Sequence, residues 1–419
     1  MARRLAISVL VPAILLWLSV RSALAQPEIT FDQALALSEE RPEVRAAERA
    51  IRARAEGDER ISEVITAPTE LQLMPGARVL REAERGFEGQ FGVVQGWSLS
   101  GLGGARRQAA GEERQALMAE VRATALERRL DAARAWVELS VLEQQVTLVR
   151  AEASLATLMR ERIERSADAG VMTVADVAEA LAFEGEAEFR VLLAEGERLS
   201  SALALANAMG MPVDERLRTA GARPSPEVPG HDELEARLLD VEGLPAIQAA
   251  RLAAVAQRAR DVELAAASGP TMQTGVQLYR EAPDGFMVFG QLNFGIPAAD
   301  LFARERSIVR AEAERLDGER EERILTARRD AVAITHEVVH TRAQERVLRT
   351  SIVPSLERLV VQREAQLRAG EITAVLRIEA QRRRVAAQIQ LNQLEGARLW
   401  AELRAWLMLA ERARGGGAR

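Results

Sequence analysis

Apolar positions along the chain follow two different periods. From about Ala105 to Ser166, and again from about Ala303 to Arg368, they recur at alternating steps of four and three. Ala119, Ala123, Leu126, Leu130, Ala133 and Val137 carry the pattern in the first stretch, and Ile324, Ala327, Ala331, Ile334 and Val338 in the second. This is coiled-coil spacing, and it predicts two helices of roughly 60 residues, or roughly 90 Å, each. Pro354 is expected to kink the second. The seams use alanine where a two-stranded zipper would use leucine, so backbones can approach closely and a wall of antiparallel helices is favoured over an isolated pair. Charged positions on the other faces, such as Glu127, Arg128 and Arg134, are expected to be solvated.

Four short runs have period two instead, which means strand. Met272, Thr274, Val276 and Leu278 alternate with Gln273, Gly275 and Gln277. After a turn at Pro283-Asp284-Gly285, Val288, Gly290, Leu292 and Phe294 alternate with Phe289, Gln291 and Asn293. Earlier in the chain Leu71 and Leu73 oppose Glu70 and Gln72, and Phe91, Val93, Gln95, Trp97 and Leu99 oppose Gln90, Gly92, Val94 and Ser98. One face is largely apolar and the other largely polar. A barrel wall in lipid needs that arrangement, with Gln273, Gln277, Gln291 and Asn293 then facing the lumen. Four strands cannot close a barrel, so several chains would have to share one. A pair of hairpins in a soluble β-domain fits the same alternation.

The two patterns belong to one duplicated plan. Arg41-Pro42-Glu43-Val44-Arg45-Ala46-Ala47 is echoed by Leu244-Pro245-Ala246-Ile247-Gln248-Ala249-Ala250. Arg81 to Phe87 is echoed by Arg280 to Phe286, and Ala169-Gly170-Val171-Met172-Thr173 by Ala369-Gly370-Glu371-Ile372-Thr373. All three landmarks return in order, roughly 200 residues further on. Each half reads as helix, hairpin, long helix, turn, helix, the first helical stretches being Thr30 to Glu63 and Glu233 to Ala267, with Pro68 and Pro270 beyond them. Gly221, Pro224, Pro226, Pro229 and Gly230 mark the join.

Composition narrows the chemistry. All 56 basic residues are arginine, set against 62 acidic ones, so the net charge of −6 gives no support to nucleic-acid binding. With no cysteine, disulfides, thiol catalysis and an acylated N-terminal cysteine are excluded. His336 and His340 stand four apart, a metal-compatible spacing, but no HExxH pattern surrounds them. They and His231 are read as solvated surface residues. No carboxylate pair or phosphate-cradling glycine loop competes for a catalytic role, and neither an enzyme activity nor a cofactor is expected. Arg3 and Arg4, the apolar run Leu5 to Val20 and Ala23-Leu24-Ala25 read as a signal peptide cleaved before Gln26. The alternative is a single membrane anchor, for which the run is short and broken by Ser8, Pro12 and Ser19. No later run is apolar enough for a spanning helix.

Together these features resemble the outer membrane efflux protein (TolC) family over roughly Ile29 to Leu409. The resemblance rests on the duplication, Pro42 and Pro245, and the strand exits at Trp97 and Phe294-Gly295-Ile296-Pro297. It rests also on the turn Gly170 to Val177 and on Asn207-Ala208-Met209-Gly210-Met211-Pro212. It implies a mainly α fold with a small β part: a homotrimer in which a shared twelve-stranded transmembrane β-barrel stands on an α-helical barrel. It also implies a passive exit duct of a tripartite efflux or type I secretion system, set in the outer membrane and reaching into the periplasm. The partners would be outer-membrane lipid, a periplasmic adaptor and an inner-membrane pump of RND or ABC type. Gly170, Thr173, Asp176, Gly370 and Thr373 match the periplasmic tip, where an adaptor docks and the gate closes. Where several members carry an acidic gate residue this chain has Leu376, so a latch of Arg377 and Glu379 is expected instead.

The expected organisation is a signal peptide at 1–25, a first repeat at 26–212 with strands at about 69–80 and 87–99, and a linker at 213–232. A second repeat follows at 233–411 with strands at about 271–280 and 286–296, then a disordered tail at 412–419. The alternative is an exported structural coiled coil that never enters a membrane.

Overall fold

A computed structural model describes residues 27–63, 65, 67–79, 85–212, 214, 216–281, 285–297 and 299–416. The expected signal peptide, Pro283 and Asp284 of the expected turn, and the last three residues of the expected tail lie outside them.

The first half contains β1 (Glu28–Ile29), α1 (Phe31–Glu39), α2 (Pro42–Asp58), β2 (Glu70–Val79), β3 (Arg85–Ser98), α3 (Leu102–Asp168) and α4 (Val174–Met209). The second contains β4 (Arg218–Thr219), α5 (His231–Leu239), α6 (Pro245–Ala267), β5 (Thr271–Glu281), β6 (Gly285–Gly295) and α7 (Ala303–Val347). A π-helical turn (Leu348–Ile352), α8 (Val353–Arg368) and α9 (Ala374–Gly416) complete it.

Each opening helical stretch is two helices rather than the single one its periodicity suggests. Pro42 and Pro245 are first residues of α2 and α6. A proline tolerates that position because its missing N–H would be unsatisfied there, while its ring drives the preceding residue into an extended conformation, as at Leu244 (ψ 135°). At the other end of the chain α9 continues to Gly416, past the expected start of a tail at 412. Arg412 pairs there with Asp240. Upstream of Pro354 the chain inserts one π turn and then resumes α-helix, so the expected kink takes the form of a widened turn.

The chain divides into two compact units. One holds the described residues up to Pro42 with Ala125–Leu239 and Asp330–Ala410. Its main core gathers Phe31, Trp136, Leu139, Leu205, Leu403 and Leu407. Each such side chain contributes about 1.5–3 kcal/mol by leaving water. Trp136 meets Phe31 edge-on at 5.5 Å and donates its indole N–H to the Ile29 carbonyl at 2.9 Å, so its polar atom is satisfied inside the core. Within the expected linker, β4 pairs in parallel with β1, and the Thr219 N–H donates to Glu143 of α3 at 3.2 Å. The seam positions Ala133, Val137, Ala331, Ile334 and Val338 are all buried.

The other unit holds Glu43–Thr124, Asp240–Arg329 and the described residues from Glu411 onward. It contains α2, α6, the adjoining parts of α3 and α7, and a four-stranded antiparallel sheet in the order β2-β3-β5-β6. Arg306 bridges Asp261 of α6 (2.9 Å) and Asp300 (2.7 Å), tying the exit of β6 to the helix that precedes β5.

Candidate functional site

Two regions carry the chemistry expected from the sequence, and each is built within one unit.

The first is the sheet. Residues directly opposite in an antiparallel pair share a face, so the register sorts the side chains. Leu71 faces Val93, Val93 faces Val276, and Val276 faces Gly290. One residue along, Gln72 faces Gly92 and Gly92 faces Gln277. The first set, with Leu73, Phe91, Leu278, Val288, Leu292 and Phe294, forms an apolar face open to its surroundings. Leu71 is 71% exposed, Val288 69% and Phe294 59%. At one end of this face Trp97, Met272 and Phe294 form a cross-strand row, and Trp97 donates to the Thr274 hydroxyl at 2.7 Å. At the other end the Arg280 guanidinium lies 5.8 Å above the Phe286 ring.

The opposite face carries Gln273, Gln277, Gln291 and Asn293 together, with Gln273 opposite Asn293. Gln277 is the hub of an amide lattice: it donates to Gln72 at 3.4 Å and to Gln291, and accepts from Gln90. Met287 and Phe289 share this face, so it is polar only in the main. β2 and β6 are the edges of the sheet.

The second region is the pair of turns between long helices. At the first, Gly170 takes φ 74°, a left-handed conformation that only glycine adopts cheaply, and the Val171 N–H donates back to the Ser166 carbonyl at 2.9 Å. Thr173 then caps α4. Its hydroxyl oxygen accepts from the Asp176 N–H at 3.2 Å while the Asp176 carboxylate accepts from the Thr173 N–H at 3.0 Å, a reciprocal capping box. The second turn repeats the backbone with Gly370 at φ 73° and the Glu371 N–H donating to the Gln366 carbonyl at 2.9 Å. Three residues past Thr373, however, stands Leu376, which has no carboxylate. Asp176 is buried, and the Thr173 hydroxyl and N–H, helped by the Ala374 amide of the other turn, hold its carboxyl below the ordinary carboxylate range against the cost of burial. Ala374, Ile378 and Phe183 pack in one cluster beneath, and Val171 and Val174 are exposed above it.

Within the subunit Arg377 and Glu379 do not pair. Arg377, 7% exposed, donates to Glu364 of α8 at 2.9 Å and to Gln381 at 3.4 Å. Glu379 pairs with Arg383 one turn on. Glu364 also receives Arg162 of α3 at 2.9 Å. Burial pushes its carboxyl up, but the Arg377 hydrogen bond and the charges of Arg377, Arg162 and Arg368 outweigh that and hold it low. Across from it Arg382 of α9 meets Glu179 of α4 at 2.9 Å and Glu186 at 3.1 Å, with its guanidinium 5.4 Å from the Phe183 ring. Sequence reasoning missed Glu364, Arg162, Arg382 and Glu179. A signal was present, because these cross-repeat pairs are 202 and 203 residues apart, close to the repeat offset, and opposite in charge.

Among the described residues no helix is long and apolar enough to cross a membrane, and no group of three or more metal-ligating side chains occurs. In sequence the chain matches no family model and no curated protein. Its likeness is structural. The outer-membrane channel OprN superposes with a TM-score of 0.73 at 17% identity, over 92% of this chain and 90% of that one. A membrane protein from Pseudomonas aeruginosa gives 0.74 at 17% identity, over 90% and 92%. The Campylobacter jejuni outer membrane channel CmeC gives 0.72 at 12%, over 92% and 86%. The chain thus has the fold of these outer-membrane channels, the TolC-type fold that its duplicated sequence resembles.

Proposed function

We propose that the chain is one subunit of a passive exit duct in the outer membrane, serving a tripartite efflux or secretion system. The sheet carries this reading. Phe286 and Phe294 bound its apolar face, eight residues apart on β6, which at about 3.3 Å per residue is about 26 Å along the strand, or roughly 20 Å of height at a barrel tilt of about 35–45°. A transmembrane barrel wall presents an apolar band of about 25 Å. The exposed edges β2 and β6 are left to pair with other copies, and three copies would close twelve strands with the Gln277 lattice and Gln273, Gln291 and Asn293 toward the lumen. Lipid then covers the apolar face, and the duct needs neither catalytic residue nor cofactor.

The helical turns are proposed to stand at the periplasmic end. Gly170, Thr173, Asp176, Gly370 and Thr373 shape the surface that a periplasmic adaptor meets, with Val171 and Val174 as its apolar contacts. An inner-membrane pump supplies the energy and chooses the cargo. The gate is proposed at the second turn, where Glu379 is half-exposed and Arg377 is anchored to Glu364.

Light scattering on the detergent-purified mature chain followed by planar-bilayer recording tests this reading. Trimers with stable, small-conductance openings are expected. A soluble, non-conducting protein would overturn it in favour of a structural coiled coil.

A further inference from the structure

The chain has three histidines, and two of them, His336 and His340, lie one turn apart on α7 with both side chains exposed. Their ring centroids are 4.1 Å apart at an interplanar angle of 48°. Among the described residues neither imidazole has a hydrogen bond or ion pair. The surrounding helix is regular, and Thr335 and Val338 on its inner face are buried, which fixes the outward direction of the pair.

This is the arrangement of a helical two-imidazole chelate. Side chains four apart point the same way, one above the other. Imidazole nitrogen is a ligand of copper, nickel and zinc ions. Two metal–nitrogen bonds of about 2.0–2.1 Å to one ion require donor atoms roughly 3 Å apart. Rings already in contact reach that separation by side-chain rotation alone, without moving the backbone. The helix has already fixed the two Cα positions, so little ordering remains to oppose binding.

We propose that His336 and His340 form a binding site for one divalent transition-metal ion, Cu²⁺ most strongly and Ni²⁺ and Zn²⁺ less so, with water in the remaining positions. The ion cross-links one turn of α7, eight residues before the π turn begins at Leu348. The site depends on α7 alone and stands whether or not the chain conducts.

Calorimetric titration of the untagged, detergent-purified full chain with Cu²⁺ tests it, alongside electron paramagnetic resonance to detect nitrogen ligands. One ion per chain with a two-nitrogen signature is expected. His336→Ala and His340→Ala should each weaken binding at least about tenfold, because the second ligand acts at high effective concentration. His231→Ala should leave it unchanged. Circular dichroism at 222 nm confirms that the variants remain helical, and His340→Gln replaces any that does not. Equal binding by wild type and His340→Ala, or loss only in His231→Ala, would overturn the assignment.

Discussion

The carboxylate of Asp176, at the start of α4, accepts the backbone N–H of Thr173 at 3.0 Å and its hydroxyl at 2.7 Å, and the Ala374 amide at the start of α9 helps hold its charge. One side chain therefore closes the capping box of α4 and draws on the other repeat. Replacing a helix cap by alanine costs about 1 kcal/mol, and Asp176→Ala removes one half of that capping box. The Thr173 amide is expected to exchange its hydrogen markedly faster in that variant. An unchanged exchange rate would remove Asp176 as a cap of α4.

The same contact has a pH dependence. Because the folded carboxyl sits below its unfolded value, its contribution is fully present above about pH 4 and is lost as pH falls through the lower folded value. Protection of the Thr173 amide, which the carboxylate accepts, should fall on acidification in the wild type. In Asp176→Asn it should show no such step.

Glu152 behaves in the opposite way. It is buried on α3 and held by Arg190 of α4 through contacts of 2.9 and 3.1 Å, yet burial outweighs that partner and pushes its carboxyl up. A raised carboxyl costs stability as pH climbs above its unfolded value. Glu152→Gln should therefore change neutral-pH stability by less than about 1 kcal/mol, whereas Arg190→Ala, which strands a buried carboxylate, should cost about 3 kcal/mol. The Arg190→Ala loss should shrink at acidic pH, where Glu152 takes up a proton. Denaturant titrations at two pH values measure both.

On the sheet, the two faces should answer differently to the same residue. Val288→Arg places a guanidinium on the exposed apolar face and should cost about 2–4 kcal/mol on insertion into lipid. Gln277→Arg, on the opposite face, should insert normally. Flotation of each variant with lipid vesicles separates them, and equal flotation would argue against lipid on the Val288 face.

At the second turn, Glu379→Ala and Arg377→Ala are both expected to raise single-channel conductance. Arg377→Ala should do so with a loss of stability, since Glu364 loses its most buried partner, whereas Glu379 is half-exposed and gives up only a local pair with Arg383. An unchanged closed state in Glu379→Ala would exclude it from the gate.

What the sequence made legible was whatever repeats locally. Alternation from Met272 to Leu278 identified a strand with two unlike faces, and Gly170 followed by Thr173 and Asp176 announced a helix end and the next cap. The division of the first helix at Pro42 was obscured because apolar spacing continues across the break. β1 and β4, of two residues each, are too short to show any period. The second partner of Asp176 and the anchoring of Arg377 by Glu364 are contacts between segments, and no local pattern records them. Arg162 and Arg382 are marked only by partners of opposite charge about one repeat away, a signal easily lost in a chain with 56 arginines.

The π turn at Leu348–Ile352 has a bearing on how the two halves differ. It adds one residue to a single helical turn, and an added residue rotates everything after it by about 100° relative to an unbroken α-helix. α3 runs 67 residues with no such step. The repeat landmarks stand 199 residues apart before the long helices (Arg81 and Arg280) and 200 apart after them (Gly170 and Gly370), so the second half carries one residue more. The π turn takes up that residue, and the side chains of α8 keep the azimuth of their α3 counterparts at the new offset.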